Sequence, residues 1–249
     1  MPAPILITGF HRSGTSAIAR ALHGAGVGLG ANLLGSEPTN PYGHFEDVDV
    51  IELHDGLLAR ESLTWKSLES PTDREASTAA VSDYVLSREE NSGIDGLRWG
   101  VKDPRMCLFL GSWLEAAPDA EVVFVVRAPG PAVASLHRRH IQRHVDTGGI
   151  DPSDLNFWRE PDLGLKLWLH YHRAALPHLE SPRTSIIFYD DAASVDSTLR
   201  HLGSKFGLSA IPTPLDPALG RIESLPTIDT SLIADASALW DRIHGLRDR

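Results

Sequence analysis

One cysteine, Cys107, stands alone in 249 residues. It leaves no intrachain disulfide framework and fits a reducing compartment. No apolar run approaches the roughly 18–20 residues that cross a bilayer. The opening MPAPILITGF lacks the basic start and long apolar stretch of a signal peptide, so a cytoplasmic protein is expected. Basic residues are in deficit: 23 Lys and Arg against 33 Asp and Glu give a net charge of -10. That balance argues against nucleic acid or an anionic membrane as the main partner, although a local cluster of cations can still hold an anionic small ligand. No internal repeat and no interdomain linker is visible. The length suits one sizeable α/β unit and is short for two, so a single domain over residues 1–249 is expected.

What is present is a set of short apolar, β-branched runs: residues 5–8 (ILIT), 121–126 (EVVFVV) and 184–189 (TSIIFY), with 99–102 (WGVK) as a fourth. Runs apolar on both faces suit parallel strands covered on each side. Helical stripes alternate with them. Ala17, Ile18, Ala21, Leu22 and Ala25 form one; Leu165, Trp168, Leu169, His172 and Leu176 form another. Residues 194–206 and 231–246 read as late helices. The alternation predicts a three-layer α/β fold with a central, mostly parallel sheet flanked by helices, and the glycine-bounded loop at residues 9–16 makes its P-loop NTPase-like form the expected one. Residues 28–45, rich in Gly, Pro and Asn, are expected to be irregular, as are 71–74 and 90–96. Residues 212–226, with four prolines, read as a loop folding back over the domain.

Directly after ILIT comes GFHRSGTS, residues 9–16. Between a strand and a helix, such a loop presents successive backbone N–H groups to an anion at the helix N-terminus. Its two glycines allow the tight turn, and Ser13, Thr15 and Ser16 add hydroxyl donors. The Walker A spacing is kept, yet Thr15 occupies the lysine position. The strongest strand, VVFVV, ends in Arg127 where a magnesium-holding aspartate would be expected. The loop therefore reads as a site for a terminal anion held by protein cations rather than by a metal.

The segment resembles the 5′-phosphosulfate loop of the sulfotransferases that use 3′-phosphoadenosine 5′-phosphosulfate (PAPS). VVFVVR127-APGPAVA-S135 is similar to the same family's strand-end Arg and helix Ser eight residues on, a pair that holds the 3′-phosphate. Trp99-Gly-Val-Lys-Asp-Pro-Arg105 is similar to the K-D-P segment of the tyrosylprotein sulfotransferases and bacterial relatives, whose lysine lies near the transferring sulfonate. Ile186-Ile-Phe-Tyr-Asp190-Asp resembles the family's Y-E-D-L strand end, with Asp190 where Glu is usual. The first three motifs follow the family's order from Gly9 to Ser135. The resemblance implies sulfuryl transfer from PAPS to a hydroxyl or amine, with PAP released and no metal required. Ser13, Gly14, Thr15 and Ser16 would wrap the 5′-phosphate; Arg127 and Ser135 would clamp the 3′-phosphate; Arg12 and Lys102 would stabilise charge on the bridging oxygen. Many relatives carry Lys where this chain has Arg12, and Arg, which stays protonated, acts as a clamp rather than a proton donor.

The acceptor also needs a base, which must reach its proton. Glu46 is the first candidate, because tyrosylprotein-type relatives use a Glu after the first helix; a helix-start carboxylate favoured by the helix dipole is the plain alternative. His44 is the second, since cytosolic relatives use a histidine. Arg139 matches an Arg twelve residues after the strand-end Arg of the tyrosylprotein enzymes, against the alternative of a solvated basic face in HRRHIQRH. Arg221 is placed by likeness to a late basic segment that reaches the nucleotide. His137, His140 and His144 share a helical face with no carboxylate on it, so no metal site is expected. Asp103 and Arg105 are expected to pair and fix Lys102, Cys107 to be a buried apolar residue, and Trp65, Trp113, Trp158 and Trp168 to be core or acceptor-pocket wall. The acceptor is expected to be a small molecule or a glycan- or lipid-type molecule. Two other readings stay open on the same loop. A variant P-loop kinase or hydrolase using Mg-ATP is opposed by Thr15 and Arg127. A non-catalytic nucleotide-binding protein is opposed by the complete set Arg12, Lys102, Arg127 and Ser135.

Overall fold

The computed structural model describes residues 2–36, 43–92, 98–208, 211–214 and 229–247. In chain order the elements begin with β1 (Ile5–Thr8), α1 (Thr15–Gly24), α2 (Val48–Arg60), α3 (Arg74–Ser92), β2 (Gly100–Lys102), α4 (Met106–Ala116) and β3 (Glu121–Val126). They continue with α5 (Pro129–Asp146), α6 (Asn156–Arg159), α7 (Leu163–Ala175), β4 (Thr184–Phe188), α8 (Ala192–Phe206) and α9 (Thr230–His244). The four expected strands form within a residue of their sequence bounds. Residues 90–92, expected in a connection, instead continue α3.

The sheet is parallel throughout, in the order β2-β1-β3-β4. Side chains alternate across it with period two. Leu6, Val101, Val122, Phe124, Val126 and Phe188 enter one core, packed with residues of α2–α7 and α9. Ile5, Ile7, Val123, Val125 and Ile187 enter the other, with Ile18, Ala19 and Leu22 of α1 and Val195, Leu199 and Leu202 of α8. Strands buried on both faces explain why their sequences are continuous apolar runs rather than alternating ones. Trp113 and Trp168 are fully buried in the larger core, whereas Trp158, expected as core or pocket wall, is 70% exposed.

From β1 the chain proceeds to β2 on one side, then returns to β3 on the other. The order therefore reverses between β1 and β3, and in open parallel sheets ligands bind in the crevice outside the strand ends at such a point. GFHRSGTS leaves β1 there and Arg127 ends β3 there. Among the described residues no helix is long and apolar enough to cross a membrane.

Candidate active site

The loop is shaped by two contacts that exclude any side chain at its glycines. A Cβ on Gly9 (φ +148°) would lie 2.0 Å from the Val125 carbonyl oxygen, so the loop's first residue lies against the backbone of β3. A Cβ on Gly14 (φ +92°) would enter the Tyr189 ring at 2.5 Å. Between them Arg12 is held left-handed at φ 65°, a conformation costly for a non-glycine residue and concentrated at functional sites. The helices α2, α8 and α9 are each capped by an aspartate side chain, from Asp47, Asp191 and Asp229. The N-terminus of α1 has Gly14 as its cap and no side-chain cap hydrogen bond. Ser13 Oγ beside it is buried with no hydrogen-bond partner among the described residues. An orphan buried hydroxyl next to an uncapped helix N-terminus is a cradle that an oxyanion fits.

Cations converge on this cradle from two further strand ends. Arg12 Nε donates to Ser135 Oγ at 3.0 Å, bringing together residues 123 apart in sequence. Arg127 Nη1 donates to the Arg12 carbonyl at 3.4 Å. Arg127 is itself held by Asp190, whose Oδ1 accepts from its Nε at 3.1 Å and whose Oδ2 accepts from the Ala128 N–H at 2.7 Å. Burial first, then the like charges of Arg139, Arg127 and Arg138, bring the Arg12 guanidinium down to about 10. It stays protonated at neutral pH, and the repulsion that lowers it would be relieved by a bound anion.

Lys102, at the end of β2, is buried. Its ammonium donates to Ser16 Oγ at 3.1 Å, to the His44 carbonyl at 3.1 Å and to Glu46 Oε1 at 2.5 Å. Glu46 is brought here by residues 43–47, where Leu34 N–H donates to the Glu46 carbonyl at 2.7 Å and Phe45 takes a left-handed φ of 55°. Asp103 and Arg105 pair as expected, Arg105 Nη1 donating to Asp103 Oδ2 at 3.0 Å. Arg105 Nε also lies 2.8 Å from Asp55 Oδ1. Burial alone would raise the Asp103 carboxyl, but Arg105 and His54 beside it bring it well below the usual carboxylate range. His54 Nε2 accepts from Trp113 Nε1 at 2.9 Å, which leaves the proton of a neutral imidazole on Nδ1, the nitrogen 3.6 Å from Asp103 Oδ2. Lys102 thus ends a strand whose following turn is anchored in the core.

The structure brings together Arg12, Ser13, Gly14, Ser16, Lys102, Glu46, Arg127 and Ser135, with Thr15 buried at the start of α1. His44 meets Lys102 through its carbonyl. Arg139 is close enough to act on the charge of Arg12. Arg221 lies outside the described residues. Cys107 is buried, within 3.3 Å of Thr8 Oγ1, and burial pushes its thiol up to about 12, far from a nucleophile's range. His140, which shares a helical face with His137 and His144, meets a carboxylate from another element: its Nδ1 lies 2.6 Å from Asp154 Oδ1. Among the described residues no group of three or more His, Cys, Asp or Glu is arranged to hold a metal ion.

Two residues escaped the sequence reading. Asp190 was visible only as a departure from a motif, and its grip on Arg127 depends on β3 and β4 pairing. His11 lies inside the loop itself. Its ring packs 4.5 Å from Trp65 and 5.6 Å from Tyr171, and its Nε2 is buried without a partner among the described residues. Burial, then Arg105, Arg139 and Lys102, outweigh Asp103 and hold this imidazole well below its ordinary range, so it is neutral at pH 7. Trp65 in turn packs against His140 and Phe157, which forms an aromatic wall on this side of the loop.

Comparison with known proteins identifies the family. The profile of the Sulfotransferase family matches residues 4–209, and the chain belongs to that family. Among solved structures, the sulfotransferase domain of the Synechococcus PCC 7002 olefin synthase superposes with a TM-score of 0.54 at 17% identity, covering 98% of this chain and 96% of that one. Sulfotransferase STF1 from Mycobacterium tuberculosis H37Rv superposes with a TM-score of 0.50 at 15% identity, covering 98% of this chain and 77% of that one. At these identities the likeness speaks for the fold. Among curated proteins no sequence matches.

Proposed function

We propose that this protein is a PAPS-dependent sulfotransferase that moves a sulfuryl group to a hydroxyl or amine of a small-molecule, glycan or lipid acceptor and releases PAP. The observation that carries the reading is the convergence of Arg12, Ser135 and Arg127 beside the N-terminus of α1, which has no side-chain cap hydrogen bond, with Lys102 one strand away. A 5′-phosphate fits the N–H groups and Ser13 Oγ of the loop. A 3′-phosphate fits Arg127 and Ser135, a cation and a hydroxyl that both touch Arg12 of the loop. Arg12 and Lys102 then face the bond that breaks.

Sulfuryl transfer asks the protein mainly for alignment and charge stabilisation. The acceptor oxygen attacks sulfur while the bond from sulfur to the bridging oxygen breaks, and the leaving electron pair stays on the 5′-phosphate. Arg12 and Lys102 stabilise that growing charge, and Glu46 takes the acceptor's proton. Glu46 is preferred to His44 as the base because its carboxylate touches the Lys102 ammonium, the group nearest the reacting centre in this reading.

Calorimetric titration with PAP and with ADP, each with and without magnesium, tests the reading. Magnesium-independent binding of PAP, with little for ADP, is the expected result. Preference for ADP or ATP with magnesium would overturn it in favour of a variant P-loop kinase, a reading already opposed by Thr15 and Arg127.

A further inference from the structure

An ammonium has three N–H donors, and those of Lys102 are matched by three partners: Ser16 Oγ, the His44 carbonyl and Glu46 Oε1. Another acceptor can be taken on only by releasing one of them. The donor's sulfonate has to reach this nitrogen if Lys102 is to stabilise the transfer. The His44 carbonyl is part of the backbone, and the Ser16 hydroxyl can go on accepting from Lys102 while its own proton turns to the 5′-phosphate. Glu46 is the only ionised partner and is held by a rotatable side chain. Arg105 also interacts with Glu46, but it is already bound by Asp103 and Asp55 and is not free to replace Lys102.

We propose that Glu46 and the donor's sulfonate compete for Lys102, so that donor binding breaks the Glu46–Lys102 ion pair and releases the carboxylate to act as base. The inference rests on the PAPS reading of the site. Before the donor binds, the carboxylate is held by Lys102. With donor bound, Lys102 turns to a sulfonate oxygen and Glu46 faces the acceptor. After transfer the sulfuryl group leaves on the acceptor, Glu46 passes the acquired proton to solvent, and the ion pair re-forms. The competition has a thermodynamic signature. PAPS must displace Glu46, whereas PAP, which lacks the sulfonate, need not. Glu46 therefore weakens donor binding relative to product binding, a cost expressed in the ground state and recovered as an unmasked base.

The test is equilibrium binding of PAPS and of PAP, without acceptor, to the wild type and to Glu46→Gln, which keeps the shape and removes the charge. PAPS affinity should rise about tenfold in the variant, the scale of one partly screened charge contact, while PAP affinity stays within about twofold. If both affinities are unchanged, or both fall together, the competition is excluded. Glu46→Ala gives the same reading should the glutamine variant not fold. A wild type that binds neither nucleotide would bring down the donor reading and this inference together. Normal PAP binding with an unmoved PAPS-to-PAP ratio would bring down the competition alone.

Discussion

At the residue scale, the site is defined by like charges that oppose one another. Arg12 is destabilised by Arg139, Arg127 and Arg138, and Arg127 is tied to the carboxylate of Asp190 at the strand end. Replacing Arg127 with Ala should weaken PAP by about 10- to 100-fold, the worth of one or two charge-assisted hydrogen bonds. Adenosine 5′-phosphosulfate, which has no 3′-phosphate, should lose much less. Equal losses for the two ligands would show that Arg127 does not read the 3′-phosphate. Glu46→Gln should lower turnover by about 100-fold or more, in line with loss of a general base, while PAP affinity holds. Full activity in that variant would move the base to His44. GFHRSGTS and the strand-end Arg127 were legible from residue type and spacing alone. The partners of Lys102 were not, because Glu46 lies 56 residues away and Ser16 lies 86 away, and no local pattern encodes such contacts.

At the element scale, the segments flanking the site are clasped to one another rather than to the sheet. Lys66, in the connection between α2 and α3, donates to Ser153 Oγ at 2.6 Å and lies 3.9 Å from Asp154 Oδ1. Asp154 is fully buried in the short turn Pro152–Leu155, and from there it also meets His140 and Arg143 of α5. One carboxylate thus joins three pieces of chain beside the aromatic wall of Trp65 and Phe157. Asp154→Ala should cost about 2–3 kcal/mol of stability through its charged hydrogen bonds and leave PAP affinity untouched, as judged by urea unfolding and calorimetry. Unchanged stability would mean that solvent replaces the clasp, and a parallel loss of PAP binding would mean that it shapes the nucleotide loop. The strands were readable because alternate residues face two cores. Helix α3 was not anticipated, and its polar surface explains why: most of its residues between Arg74 and Glu90 are exposed or half-buried, and only Ser77, Val81 and Val85 are buried, one turn apart.

At the scale of the whole molecule, buried neutral imidazoles make the fold sensitive to acid. Burial brings His140 and His172 down to about 4 and holds His11 well below 6.5. Their folded-state values lie below the unfolded one. Between about pH 6.5 and 4 the unfolded chain therefore binds more protons, and the stability present above 6.5 is lost as the pH falls. Each such histidine contributes a slope of up to about 1.4 kcal/mol per pH unit in that window. The urea midpoint at pH 5 should lie clearly below that at pH 7. Coincident midpoints would mean that these rings protonate without unfolding.

The local facts of this protein follow from near neighbours in the chain. Continuous apolar runs make parallel strands, a glycine-bounded turn after the first strand makes the loop proposed to hold an anion, and Thr15 and Arg127 carry the proposal that it is not a magnesium-dependent nucleotide site. These are properties of backbone geometry and residue chemistry within a few positions. Which charges meet is a matter of topology. The reversal of strand order between β1 and β3 draws the ends of β1, β2 and β3 to one crevice. Only there do Arg12 and Ser135 touch, Asp190 hold Arg127, and Glu46 close on Lys102. Pair energies depend on distance and burial, and folding brings together residues that lie far apart along the chain.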